Sequence, residues 1–286
     1  MKKIGILIRY ENELQEKQNF RERFEEAQAM GIDCCQLCFP EGVGYTEEVA
    51  EKINAAVLST GFEISLLWAG WTGANDPVWN FTKGPTHLGI VPMAYRAQRV
   101  KQLQEASEFA LKIGVKDIAT HVGFIPENMT DPAYVPLVEE LKELCALYAS
   151  RDQNFLFETG QETPVTLLRT IEKIGLNNAF INFDTANLIL YGKGNSVDAV
   201  RVFGKYVRNT HIKDGVYPTD GMSLGREVKV GEGLANFPAL IAILDEAGYE
   251  GPYTIEREIA GEAQKKDIRE TVVYLRELFK KIEEKK

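Results

Sequence analysis

No run of three or more basic residues occurs in this sequence, only pairs such as the terminal Lys280-Lys281 and Lys285-Lys286, and the formal charge is −9. Nucleic-acid binding needs a surface that neutralises phosphates, so nucleic acid is not an expected partner. Long apolar runs are missing too. The one that begins at Ile4 is broken by Arg9 and then by acidic residues, which leaves it too short for a signal peptide or a membrane span. It reads as the first strand of a cytoplasmic protein with no membrane partner. Cysteine is scarce: Cys34, Cys35 and Cys38 form one tight cluster and Cys145 stands apart. Such near neighbours cannot close the loops of a disulfide framework. Cys35 and Cys38 have CxxC spacing, but no second pair completes a zinc site, and the interleaved Leu37 and Phe39 point to buried strand thiols. Also absent are a GxGxxG at the start of any helix and any linker, low-complexity tract or charge block that would split the chain.

What remains is an ordinary soluble composition, 44% hydrophobic and 26% charged, which can bury a sizeable core and excludes disorder. Short β-rich runs alternate with longer segments of helical period, as in parallel βα units. The strand-like runs are Lys3 to Arg9, Asp33 to Phe39, Glu63 to Trp68, Asp117 to Val122, Asn154 to Glu158, Ala179 to Asp184, Val207 to Lys213 and Tyr253 to Arg257. Each is followed by a helix candidate; Val100, Leu103, Ala106, Ala110 and Ile113 make one apolar stripe, and Ile268, Val272, Leu275, Phe279 and Ile282 another. Gly31, Gly61, Gly114, Gly175 and Gly248 each follow a helical pattern and precede a strand. Eight units close a barrel, and 286 residues are close to the roughly 250 that one requires. The sequence therefore predicts a single (β/α)₈ TIM barrel as one domain over residues 1–286. Two connections are long, as functional loops often are. One runs from Ala69 to about Pro92 with Trp71, Trp79 and Phe81, and one from Asp214 to about Asn236 with Pro218, Gly221, Gly225, Gly231 and Gly233 among its residues. Both follow strands, so both belong on the catalytic face.

That face is where the chemistry gathers. Glu158, Asp184, His211 and Glu256 end the last four strand runs, aiming three carboxylates and an imidazole at a common point. Core packing does not ask for this, because Asp and Glu are almost never fully buried unless paired or metal-bound. The donor set suits one divalent metal ion, Mn²⁺, Mg²⁺, Co²⁺ or Zn²⁺. The alternative is a set of separate rim salt bridges to Lys213, Arg257 or Lys205. Any one position alone fits that alternative better, and four at equivalent strand ends favour the metal.

At these residues the chain resembles the xylose-isomerase-like barrels, the sugar phosphate isomerase/epimerase group that also includes endonuclease IV. The matching segments are Phe157-Glu158-Thr159-Gly160, Phe183-Asp184-Thr185-Ala186-Asn187, Thr210-His211-Ile212-Lys213-Asp214 and Thr254-Ile255-Glu256-Arg257-Glu258, with Leu224 to Val228 and Val230 to Gly233 beside them. The resemblance implies a mononuclear metal site on the four residues, with Glu158 and Glu256 also serving as acid and base. It departs from endonuclease IV relatives, which place histidines where this chain has Asn187 and Val216, so a three-zinc repair enzyme is a minor alternative.

Around the four, His121 reads as a supporting or substrate-binding group, or equally as a histidine satisfied by polar neighbours. Asn187 is a substrate-binding candidate, and Trp68, Trp71 and Trp79 either wall the cleft against a sugar or pack the loop onto the barrel. Lys213, on the same strand face as His211, either polarises a substrate oxygen or pairs with Asp184 or Glu158; Arg257 points away. Arg226 and Lys229 could meet an anionic group if the glycine-rich loop hinges over the site, or belong to a solvated surface. The expected function is a metal-dependent isomerase or epimerase of a small sugar, ketose or sugar phosphate, working through an enediolate. An inosose-type dehydratase uses the same ligands, and a sugar-binding protein without turnover needs no paired bases. Homo-oligomer formation is left open.

Overall fold

The computed structural model describes residues 2–11, 19–73 and 78–284. Eight parallel strands close a barrel in the order β1-β10-β7-β6-β5-β4-β3-β2. They are β1 (Ile4–Arg9), β2 (Cys34–Phe39), β3 (Glu63–Ala69), β4 (Asp117–Thr120), β5 (Asn154–Glu158), β6 (Ala179–Asp184), β7 (Val207–Ile212) and β10 (Tyr253–Ile255). Helices cover the outside: α1 (Phe20–Ala29), α2 (Glu47–Thr60), α4 (Met93–Lys112), α5 (Tyr134–Ser150), α6 (Pro164–Ile174), α8 (Ser196–Phe203), α9 (Phe237–Glu246) and α10 (Gly261–Glu283). The five glycines expected to end helices all take positive φ, between 66° and 80°, the left-handed cap that only glycine enters without cost. Among the described residues no helix is long and apolar enough to cross a membrane.

Period-two alternation splits each strand between an outer face against the helices and an inner face in the barrel. Outward aromatics form the core: Phe39 on β2 meets Phe109 on α4 at 5.2 Å between ring centroids, Phe183 on β6 meets Phe203 on α8 at 5.3 Å, and Tyr253 on β10 meets Phe279 on α10 at 4.8 Å. Inside, the filling is unequal. Cys38, Leu66, Trp68, Ala119 and Leu156 make an apolar cluster on the β2 to β5 side. Gln36, Asn182, Asn209 and Thr254 join in hydrogen bonds on the other side.

Three strands end earlier than their apolar runs suggest, at Thr120, Ile212 and Ile255. The chain stays close past the last of these, since the Glu256 N–H donates to the Ile212 carbonyl at 3.2 Å. The two long connections carry structure of their own. The first holds a short helix, α3 (Gly84–His87), and the second an antiparallel ribbon of β8 (Asp214–Val216) and β9 (Arg226–Val228). A ribbon stands where a hinged loop was expected, because the Asp214 carboxylate clasps its base. It accepts the N–H groups of Gly215, Gly231, Gly233 and Ala235 at 2.9, 3.0, 2.9 and 3.1 Å. A Cβ at residue 233 would lie 2.2 Å from Asp214 Oδ1, so glycine is required there by close approach.

The first connection is held by Arg99 of α4, which is fully buried and has no carboxylate partner among the described residues. Its guanidinium donates to the carbonyls of Thr72, at 3.0 Å, His87 and Gly89, and lies over the rings of Tyr95 at 4.5 Å and Trp71 at 5.3 Å. Burial pushes its pKa down to about 10, still charged at neutrality. Replacing it leaves buried carbonyls without donors, so Arg99→Met is expected to lower the unfolding free energy by about 3 kcal/mol in urea titration. Arg99→Lys should recover little, since an ammonium lacks the planar fork; a loss below about 1 kcal/mol in both variants would contradict the clamp.

Candidate metal centre

Glu158 ends β5, Asp184 ends β6, His211 lies in β7 and Glu256 follows β10. Register brings them level: Asp184 pairs with His211, His211 with Thr254 and Glu158 with Asn182. One donor atom from each of the four lies within 4.8 Å of the others. His211 Nδ1 is the hub, 3.0 Å from Glu158 Oε1, 3.3 Å from Glu256 Oε2 and 3.8 Å from Asp184 Oδ2. The first three residues are buried and the Glu256 side chain is 13% exposed, the most open of the four; it lines the rim cavity together with Glu158.

Three carboxylates this close need cations. Lys213, also buried, places Nζ 2.9 Å from Glu256 Oε2, 3.0 Å from Asp184 Oδ2 and 3.5 Å from Glu258 Oε1. Burial would raise the Glu158 carboxyl, but the imidazoles of His211 and His121 outweigh it and hold the group far below the usual range. Burial would raise the Glu256 carboxyl too, but Lys213 and His211 outweigh it and hold that group well below the usual range. Asp184 goes the other way: burial lifts it to about 7, with Lys213 opposing. Burial disfavours charge on His211, yet Glu158 and Glu256 raise its proton affinity well above normal. Charge balance within the cluster thus leans on bound protons, the arrangement a hard cation would replace.

The residues fit such a cation. Asp184 Oδ1 is occupied by the N–H groups of Ala186 and Asn187 at 2.8 and 2.7 Å, a turn that leaves Oδ2 facing the cluster. That buried oxygen has the Lys213 ammonium 3.0 Å away but no well-directed hydrogen bond. His211 Nε2 donates to Gln36 Oε1 at 2.7 Å, and Gln36 is fixed in turn because its Nε2 donates to Asn209 Oδ1 at 2.8 Å and Asn182 Oδ1 at 3.1 Å. With Nε2 committed, Nδ1 faces the carboxylates and carries the proton they favour there; its lone pair becomes a ligand when a cation takes that proton's place, the orientation that outer partners impose on ligating histidines.

The other candidate residues fall into two groups. Trp68 donates its Nε1–H to Glu158 Oε2, His121 Nε2 stands 3.3 Å from Glu158 Oε1, and Asn187 donates through Nδ2 to the Thr159 carbonyl at 3.2 Å. All three, with Lys213, line a cavity of about 570 Å³ at the carboxyl rim. Arg226 is exposed at the start of β9 and does not line it, because the ribbon holds that residue outside the cavity wall. Lys229 pairs with Glu270, and Arg257 with Glu227 and Asp267.

Sequence reasoning passed over Gln36, hidden in an apolar run, and Glu162. The latter is buried four residues past Glu158, its Oε1 without a hydrogen bond, and burial lifts its carboxyl to about 7 from an ordinary 4.5. A carboxyl raised on folding contributes stability below its unfolded pKa and loses it as pH climbs through the folded one. Glu162→Gln keeps the neutral form at every pH. Its stability relative to the parent should therefore improve by about 3 kcal/mol between roughly pH 4 and pH 8 in urea unfolding; an unchanged difference would mean that no charge is buried there.

Comparison with known proteins gives this arrangement a lineage. A xylose isomerase domain protein from Planctomyces limnophilus, solved as a crystal structure, is 33% identical, with 98% of each chain covered and a TM-score of 0.86. A human candidate hydroxypyruvate isomerase is 23% identical over 244 residues, 80% of each protein. The inosose dehydratase of Geobacillus thermodenitrificans (strain NG80-2) is 26% identical over 148 residues, 45% of this chain, which thus spans about half, 48%, of that relative. The family model for the xylose isomerase-like TIM barrel matches residues 24–278. With the model running through all but the ends and a one-third-identical barrel superposing over nearly its whole length, this chain belongs to the xylose isomerase-like TIM barrel family.

Proposed function

We propose that the protein is a divalent-metal-dependent isomerase or epimerase of a small sugar, transferring a proton at a carbon beside a carbonyl. The observation that carries the reading is the pair Glu158 and Glu256 on strands β5 and β10, within 4.8 Å of shared donors yet in different surroundings. Glu158, Asp184, His211 Nδ1 and Glu256 would hold the ion, and the hard oxygen-rich set suits Mn²⁺ or Mg²⁺, with Co²⁺ and Zn²⁺ also accommodated. When bound, such an ion supplies Lewis acidity toward a carbonyl oxygen and its neighbouring hydroxyl.

The residues supply the rest. Glu256 keeps one oxygen on Lys213 and offers the other to the cavity as the base that takes the proton. The C–H electron pair passes into the substrate's enediolate and the proton onto the carboxylate. Glu158 is held as a carboxylate by Trp68, by Asn182 at 3.1 Å and by two imidazoles, its orientation set before substrate arrives, and His121, whose proton affinity Glu158 raises against burial, would be the source of the proton it passes on. Return of a proton from its side to the same carbon inverts that centre; return to the adjacent carbon exchanges aldose and ketose.

The match to an inosose dehydratase favours one further reading, in which the enediolate expels a hydroxyl instead. Proton NMR in D₂O on ketoses, ketose phosphates and inososes separates the two by product. A new epimer or isomer carrying solvent deuterium, lost on chelation and restored by Mn²⁺ or Co²⁺, is expected; an unsaturated product would place the protein with the dehydratases. Glu256→Gln and Glu158→Gln should each lower kcat by about 10²–10⁴-fold while retaining the ion, and near-normal turnover in both would mean the acid and base lie elsewhere. Gln36→Leu should weaken Mn²⁺ binding by about 10–100-fold in calorimetric titration without loss of the fold. Unaltered affinity would show that His211 needs no partner to face the centre.

A further inference from the structure

The cavity is larger and differently walled than a free small sugar requires. Its 570 Å³ lies within the roughly 300–1,000 Å³ that encloses drug-sized ligands, so a lone sugar at the carboxylates leaves the outer part unfilled. That outer part is aromatic. From Trp68, which touches Glu158, ring centroids step 6.3 Å to Trp71 and 6.0 Å to Trp79. Trp79 is 47% exposed and rests on the His121 ring at 5.1 Å. The strip is built rather than incidental, since the buried Arg99 guanidinium holds the Trp71 ring at 5.3 Å.

Charge on the walls argues against an anionic tail. Glu158, Glu256 and Glu258 contribute carboxylates, and of the two lining cations among the described residues Lys213 is already committed to three acidic groups. Arg9 is left, a single guanidinium at the β1 rim, where a phosphate would need several donors or a helix N-terminus. Flat apolar rings beside a polar centre suit the C–H face of a neutral ring.

We infer that the substrate is an uncharged sugar that keeps a carbonyl at the carboxylate centre and is joined through a glycosidic bond to a second ring, with that second ring seated on Trp71 and Trp79 beyond the centre. The inference rests on the sugar-converting reading of the same cavity. The test is equilibrium titration of the Mg²⁺-supplemented protein, followed by tryptophan fluorescence and calorimetry. The probes are phenyl α- and β-D-glucopyranosides and galactopyranosides, D-glucose, D-galactose and their 6-phosphates. At least one phenyl glycoside should bind about tenfold tighter than its parent sugar and its 6-phosphate, as one good ring contact allows. Trp79→Ala, at a half-exposed position, should bring that glycoside to within about twofold of the parent without altering the parent's own affinity, and Trp71→Leu should act alike. Glycosides no tighter than parent sugars, a preference for the phosphates, or a Trp79→Ala effect equal on both would overturn it. Tight glycoside binding with no isomer or epimer formed from any free ketose would support the second-ring site while removing the isomerase reading; turnover of free ketoses with no glycoside preference would do the reverse.

Discussion

Three carboxylates gathered on one buried imidazole cannot stand without compensation, and the rim of this barrel is arranged around that constraint. A buried charge is expensive unless it is paired and hydrogen-bonded. Lys213 is drawn into the cluster between Asp184 and Glu256, His121 and His211 flank Glu158, and Asp184 takes up a proton near neutrality as burial lifts it to about 7. Each of these is a partial remedy. A divalent ion at the shared point would answer all three carboxylates at once, releasing protons as it entered.

The unequal filling of the barrel follows from the same demand. On the β6 to β10 side a polar layer of Gln36, Asn182, Asn209 and Thr254 lies beneath the cluster and orients His211 and Glu158 from below. On the β2 to β5 side the filling is apolar, and it continues upward through Trp68 into the tryptophan wall. The cavity therefore has an ionic end and an aromatic end, each an extension of the barrel layer below it. Trp68 belongs to both, packed in the apolar cluster while its N–H holds a carboxylate.

Much of this was legible from residue order. Strands β5 and β6 have the boundaries their apolar runs suggest, and the period of two places Glu158 over Leu156 and Asp184 over Asn182, so carboxylates at strand ends pointed to a common centre. The resemblance through Asp184-Thr185-Ala186-Asn187 and His211-Ile212-Lys213 matches the family now assigned. Other features were not legible, for physical reasons. Gln36 sits between cysteines in a strand that reads as apolar, and nothing local reports that the barrel interior there is polar. Arg99 occupies a helix that covers the sheet, and its partners are backbone carbonyls of the connection that leads into that helix, which carry no side-chain signature. For Arg226, open in the sequence between an anionic substrate contact and a solvated surface, loop position carried no geometry; the pairing of β8 with β9 places it exposed at the start of β9. For His121 and Lys213, alternatives that sequence left open are narrowed by distance: both touch the carboxylate cluster.

The central claim is that these four side chains make one mononuclear site, with Lys213 as a companion rather than a substitute for the ion. A crystal of the protein grown with Mn²⁺ and measured at the manganese absorption edge addresses it most directly. One anomalous peak is expected, bounded by Glu158, Asp184, His211 Nδ1 and Glu256, with Gln36 still on His211 Nε2. No peak at that point, a second peak beside it, or a peak bounded by other residues would contradict the account.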